Sequence, residues 1–280
     1  MNLDAYFARV GFTGARAPTL DTLRELHLAH AQAIAFENLN PLLGWPVPLD
    51  LTSVEDKLVR AGRGGYCFEH NALFGTALRE LGFEVTGLAA RVIWNAPEDA
   101  VRPRGHMLLK VMVDAEPFIA DVGFGGQTLT TPLRLVENVE QLTPHEPFRL
   151  IAAEPAGPAF NPFGTDLKLQ SLVGGAWKSL YRFDLQPQQP PDYEVANYYL
   201  STHPASHFRT GLMAARPMPG RRYALANNQL TVHHLNGPSE RQVLKSVGEV
   251  KEALATHFGL TVPDTPALDV ALARACAFPA

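Results

Sequence analysis

Cys67 stands in the run Arg63-Gly64-Gly65-Tyr66-Cys67-Phe68-Glu69-His70-Asn71. Two glycines let the backbone turn sharply into a helix, and the unpaired N–H groups at a helix start favour a thiolate over a thiol. The setting is that of an activated nucleophile, whereas most free cysteines are small buried hydrophobes. The only other cysteine, Cys276, lies in the alanine-rich stretch 273–277 and reads as such a core residue.

A cysteine nucleophile needs a base, and the chain has 10 histidines. His106 follows the turn-like Arg102-Pro103-Arg104-Gly105 and begins a run of strong strand formers, so it stands at a strand end where a side chain can reach a neighbouring helix. Asp121 falls in the next strand. If Asp114-Ala115 makes a two-residue turn, Val113 pairs with Glu116, Leu108 falls opposite Asp121, and Asp121 is the diagonal neighbour of His106 on one sheet face. A four-residue loop keeps the face but moves the two apart. Cys67, His106 and Asp121 are therefore the candidate nucleophile, base and orienting carboxylate.

Other groups carry less chemistry. His233 and His234 are adjacent, so on a strand they point to opposite faces and cannot share a metal; no metal site is expected. The loop Gly123-Phe124-Gly125-Gly126 permits close backbone approach to a ligand but lacks the dinucleotide fingerprint and does not lead from a strand into a helix. Glu69 and His70 fall off the apolar helical face, and Glu37 with Arg63 reads as a charge pair across helices.

These residues need a scaffold, and the pattern supplies one. Leu3, Phe7 and Val10 share a helical face; Leu20, Leu23, Leu26, His30 and Ile34 follow helical spacing after Pro18-Thr19. Thr52 with Glu55 fits a capping box for a helix through Leu58 that stops at Gly62. Cys67, Asn71, Phe74, Leu78 and Leu81 are in phase, and Gly82 follows. Strands are expected over 84–94, 106–113 and 118–122, then a hairpin of 169–173 and 177–183 across Gly174-Gly175. Three prolines in 186–192 predict a stiff connection. A short helix over 193–200, a hairpin across Asn227-Asn228 and a helix opened by Ser246 and Glu249 complete the chain. This order is α+β and not a doubly wound sheet.

Composition limits what the chain can be. With 46% apolar and 19% charged residues over 280 positions, it is an ordinary globular chain of about two structural units. A net charge of −4 argues against nucleic acid, which demands a basic surface. No apolar run approaches a membrane span, and Asp4 and Arg9 interrupt the N-terminus where a signal peptide needs an apolar core, so a cytoplasmic protein is expected. Two cysteines cannot build a disulfide framework.

Taken together, Arg63 to Glu69 with Asn71, His106 ahead of Met107-Leu108-Leu109, Asp121-Val122-Gly123-Phe124-Gly125, Phe36-Glu37-Asn38-Leu39 and Ser201-Thr202-His203-Pro204-x-Ser206-x-Phe208 resemble the arylamine N-acetyltransferase family in order and spacing, over about three-quarters of the chain. The resemblance implies a helical bundle over 1–82, a β-barrel over 83–192 and a C-terminal α/β lid over 193–280, with a cysteine-protease-like triad. It implies acetyl transfer from acetyl-CoA, as cosubstrate, to an aromatic amine or hydrazine through an acetylated cysteine. By that resemblance Cys67 is the nucleophile, His106 the base and Asp121 its orienter, Phe36, Phe124 and Phe208 wall the acceptor pocket, and Gly125 and Gly126 are the candidate coenzyme A contacts. The same Cys-His-Asp order also resembles transglutaminases and cysteine proteases, so a hydrolytic or cross-linking cysteine enzyme is the alternative. A non-catalytic binding protein leaves the activated cysteine unexplained.

Overall fold

Side-chain caps start the first helices where the chain leaves extended conformation. Asn2 accepts the Ala5 N–H at the head of α1 (Leu3–Val10), and Thr19 accepts that of Thr22 at the head of α2 (Leu20–Ala33). A two-residue strand, β1 (Phe36–Glu37), and a short helix, α3 (Leu39–Leu43), follow. α4 (Leu51–Glu55) opens differently from the expected capping box. Asp50 is the cap, its Oδ1 accepting the Ser53 N–H at 3.0 Å, because an aspartate two positions before Thr52 is the stronger acceptor there. Glu55 instead accepts the Asn2 N–H at 2.8 Å. The helix then widens into a π-helical turn, Asp56–Arg60, before Gly62 closes it at φ 64°. α5 (Cys67–Glu80) carries the candidate nucleophile as its first residue.

The computed structural model describes residues 1–153 and 166–277. In it β2 (Glu84–Val92), β3 (His106–Val113), β4 (Glu116–Ala120), β5 (Leu133–Arg134), β6 (Phe148–Ala152), β7 (Leu167–Val173) and β8 (Ala176–Phe183) form one antiparallel sheet in the order β5-β4-β3-β2-β8-β7-β6. After β5 the chain crosses to β6, bridging Glu137 to Leu150 and Gln141 to Phe148, so the two edges nearly meet and the sheet curls into a nearly closed barrel. Leu88, Leu108, Ile119, Leu133, Phe148, Leu150, Leu169 and Leu180 fill its interior. The opposite faces of β3 and β4 present Met107, Leu109, Val111, Phe118 and Ala120 to α1, α2 and α5.

The third part starts earlier than the proline content suggests. α6 (Pro190–Thr202) has Pro190 and Pro191 in its first turn, where a missing N–H costs nothing, so two of the three prolines open a helix and do not stiffen a linker. α7 (His207–Thr210), β9 (Met213–Met218), β10 (Arg221–Ala226), β11 (Gln229–His234), β12 (Glu240–Val243), α8 (Val247–Thr256) and α9 (Pro266–Cys276) complete it. Its sheet runs β1-β9-β10-β11-β12, and β1 comes from the N-terminal region: Phe36 pairs with Ala215 and Glu37 with Ala214. Cys276 is buried beside Leu254, Leu268 and Leu272 as a core residue. No helix among the described residues is long and apolar enough to cross a membrane.

Candidate active site

α5, which carries the candidate nucleophile, is preceded by a segment drawn against β1, where Phe36 bridges Gly65. Gly64 and Gly65 do not take left-handed dihedrals. Room is what they supply: a Cβ on Gly64 would run into the Ala35 carbonyl oxygen, and one on Gly65 would lie 2.7 Å from Glu69 Oε2. Glu69 turns back to accept the Tyr66 N–H at 3.1 Å, which starts α5 with Cys67 as its first residue. The Cys67 thiol, 3% exposed, points toward the Gly105 carbonyl at 3.7 Å, one residue before His106.

The two-residue turn is the one the chain adopts. Asp114 and Ala115 both lie at positive φ, Val113 pairs with Glu116, and the ladder runs to Leu109 opposite Ala120. His106 and Asp121 then share the barrel-interior face, and His106 Nε2 meets Asp121 Oδ2 at 2.7 Å. With Nε2 so engaged, Nδ1 is the ring nitrogen left for the thiol. Burial alone would lower the imidazole's pKa. The Asp121 charge and hydrogen bond, with Cys67 behind them, overcome that and push it up to about 10. Burial likewise works against the Asp121 carboxylate, but His106, Asn71 and the Gly123 N–H hold it below the usual range.

Asn71, one turn along α5 from Cys67, locks helix and sheet together. Its Nδ2 donates to Met107 O at 2.7 Å and Asp121 Oδ1 at 3.0 Å, and its Oδ1 accepts the Val122 N–H at 3.2 Å. One side chain thereby grips the residue after His106, the Asp121 carboxylate and the residue after Asp121. Gly123 allows this approach: a Cβ there would sit 2.9 Å from the Cys67 Cα. The signal for Asn71 was its position four residues past Cys67, a polar group on the nucleophile's own face. Sequence reasoning also passed over Tyr181. Its ring packs 5.0 Å from that of His106, and its hydroxyl is buried beside Asp121 outside hydrogen-bonding geometry.

Glu69 and His70 are fully interior, contrary to their expected place off the apolar face, because α5 is enclosed on every side from Cys67 to Asn71. Glu69 pairs with Lys57 at 2.7 Å, an inward reach made from the π-helical turn. Burial still pushes the Glu69 carboxyl up, with Lys57 only partly offsetting it. Glu37 and Arg63 do pair, at 2.7 Å, although one sits on β1 and the other in the loop before α5, not on facing helices. Two carboxylates, Glu37 and Glu69, thus face two cations, Arg63 and Lys57, around the start of α5.

His70 belongs to a polarised chain. Its Nε2 must donate to the Ala35 carbonyl at 3.2 Å, so its Nδ1 accepts from His30 Nε2 at 3.0 Å, and His30 Nδ1 accepts the Tyr6 hydroxyl at 2.8 Å. Burial drives His70 down to about 4 and His30 well below its ordinary value, so both rings are neutral.

The three phenylalanines are linked by a run of contacts that reaches from Tyr66 to His106. Phe208 packs 5.3 Å from Tyr66 and 6.3 Å from Phe36, Phe36 faces Gly125, and Phe124 stands edge-on to His106 at 5.3 Å. Thr128 Oγ1 accepts the N–H groups of Phe124 and Gly125, so Gly125 offers its Cα and not its amide, whereas the Cβ direction of Gly126 is open. His233 and His234 bond separately to Ser239 and Glu240, and the described residues contain no group of three or more metal-ligating side chains.

Comparison with known proteins agrees across nearly the whole chain. The sequence model of the N-acetyltransferase family matches residues 19–267. An arylamine N-acetyltransferase of Escherichia coli strain K12 is 46% identical over 264 residues, covering 94% of this chain and 90% of its own. The structure of the arylamine N-acetyltransferase of Mycobacterium marinum superposes with a TM-score of 0.91 at 41% identity, covering 98% of this chain and 100% of that one, and its complex with CoA gives 0.90 over the same shares. The nearly closed barrel, the helices packed on it and the agreement in sequence converge: this chain belongs to the arylamine N-acetyltransferases, a family of acyltransferases.

Proposed function

We propose that this protein transfers the acetyl group of acetyl-CoA to the nitrogen of an aromatic amine or hydrazine by a ping-pong route through acetyl-Cys67. The observation that carries the reading is the His106–Asp121 pair at 2.7 Å, next to the Gly105 carbonyl that the Cys67 thiol faces, in a chain of this family.

Cys67, as thiolate beside the imidazolium of His106, attacks the thioester carbonyl. The tetrahedral adduct collapses with loss of the CoA thiolate, which takes the proton from His106. The acetyl group is then held on sulfur. An arylamine, largely neutral at pH 7, attacks that carbonyl, His106 accepts the proton from nitrogen, and the Cys67 thiolate leaves with the amide formed. Asp121 keeps the imidazole oriented and supports its charge through both halves. The run of Phe36, Phe124 and Phe208 suits a flat aromatic ring. Gly126 leaves room for the CoA chain, and Gly125, packed against Phe36, keeps the loop close to it. In this reading the helical region 1–82 supplies the nucleophile, the barrel 83–192 the base and carboxylate, and the lid 193–280 a wall of the acceptor pocket.

Incubation with acetyl-CoA in the absence of amine should leave one acetyl group on the Cys67 peptide, and Cys67→Ser should abolish both this and turnover. Initial rates with one substrate varied at several levels of the other should give parallel lines. Intersecting lines with no acetylated Cys67 would overturn the covalent route. Release of acetate that no amine diverts would favour a cysteine hydrolase.

A further inference from the structure

We propose that His27 is a positioning residue for this site: its Nε2 accepts the Asp121 N–H and so fixes the peptide unit that aims the carboxylate at His106. The proposal rests on the acetyl-transfer reading of Cys67, His106 and Asp121.

The strand ladder between β3 and β4 ends at Leu109 and Ala120, so the next amides lose their strand partners. Three consecutive N–H groups are then taken by side chains. Asp121 donates to His27 Nε2 at 3.2 Å, Val122 to Asn71 Oδ1 at 3.2 Å, and Gly123 to Asp121 Oδ1 at 3.0 Å. Asn71 belongs to the nucleophile's helix and Asp121 bonds within its own turn. His27 comes from α2 and holds the peptide from the other side.

The ring's own situation supports a role beyond filling space. It is fully buried, edge-on to Phe74 at 5.5 Å, in surroundings that would suit a leucine. Since Nε2 accepts, the ring is neutral with its proton on Nδ1, and that N–H has no hydrogen-bond partner among the described residues. An unpaired buried donor is destabilising, so the bond at Nε2 is what the histidine supplies. The ionisable groups facing the ring are Asp121 and, on its own helix, His30. Burial outweighs the pull of Asp121 and lowers His27 to about 3, so the acceptor persists through the neutral range.

The test pairs His27→Gln, which keeps an acceptor at the same reach, with His27→Leu, which removes it. Two readouts are needed: the single-turnover rate of Cys67 acetylation by acetyl-CoA, and the pH profile of Cys67 alkylation by iodoacetamide, which senses His106 whether or not acetyl transfer occurs. His27→Leu should acetylate about tenfold more slowly with an unchanged acetyl-CoA dependence, since small misplacements of catalytic groups are costly, and its alkylation profile should shift. His27→Gln should stay within about threefold of the parent with its profile intact. A leucine variant with the parent's rate and profile, or a glutamine variant as impaired as the leucine one, overturns the proposal. Nitrogen NMR of the parent protein decides independently, even if the leucine variant does not fold. His27 should show an unprotonated Nε2 coupled across a hydrogen bond to the Asp121 amide, and a protonated Nε2 refutes the assignment. A parent whose alkylation profile shifts on His27→Leu but that never acetylates Cys67 refutes the acetyl-transfer reading instead.

Discussion

His106 and His70 are both sealed from water within one small region, yet they are held in opposite states. His106 carries a proton up to about pH 10, and His70 refuses one until about pH 4. Burial pulls both the same way, downward. The difference is a carboxylate at 2.7 Å in one case and, in the other, the Ala35 carbonyl and the neutral ring of His30. Desolvation sets the default for a buried imidazole, and a single well-placed counter-charge reverses it.

The sharpest way to break the contrast is Asp121→Asn, which keeps the shape and removes the charge. His106 should then join His70 as a neutral buried ring. The rate of Cys67 acetylation should drop by about 10⁴, the scale seen when a triad carboxylate becomes an amide. The same variant tests the linkage. In the parent, His106 binds its proton more tightly folded than unfolded, so that stabilisation is complete below the unfolded value of about 6.5 and disappears as pH rises to about 10. The thermal midpoint of the parent should therefore fall across that alkaline window, and that of Asp121→Asn should fall less. A variant that stays folded and acetylates Cys67 at the parent rate removes Asp121 from the mechanism.

Lys57 and Glu69 extend the contrast to a carboxylate. Lys57→Met leaves Glu69 buried without its cation and should cost about 3 kcal/mol in denaturant unfolding. Adding Glu69→Gln should recover part of the loss. A single variant as stable as the parent would show that counter-charge is not what keeps Glu69 in the interior.

The smallest expected effect is on the acid side. His70 is lowered to about 4, so its neutral form stabilises the fold fully above about pH 6.5, and that contribution is lost as pH falls through 4. Each pH unit within the window is worth about 1.4 kcal/mol per such proton. Thermal midpoints measured from pH 7 to 4.5 should fall less steeply for His70→Gln than for the parent, and parallel curves would contradict the assignment.

The pairing of His106 with Asp121 and the place of Cys67 at a helix start were legible because they depend on local rules. A glycine-lined approach puts Cys67 at the head of α5, and strand parity with a two-residue turn brings His106 and Asp121 to one face. His27, Asn71 and Tyr181 were not legible as partners of that site. Each is a polar residue within an apolar pattern, and only the approach of α2, α5 and β8 to one strand end gives it a role. The misplaced cap at Thr52 and the unread helix start at Pro190 have a different origin: two local signals competed within a few residues, and either could open a helix.

The two-residue strand at Phe36 and Glu37 also ties the approach to Cys67 to the last third of the chain. Phe36 bridges Gly65 on one side and pairs with Ala215 on the other, while the Asn38 side chain bonds the backbone of Phe208, Gly211 and Met213. Ala215, Phe208, Gly211 and Met213 all lie at least 170 positions further along the chain. The loop that delivers Cys67 therefore stays untethered on that flank until most of the polypeptide has left the ribosome, because distant pairings close last. A nascent chain carries its thiol without the Phe36–Phe208 contact, which needs the final third of the chain.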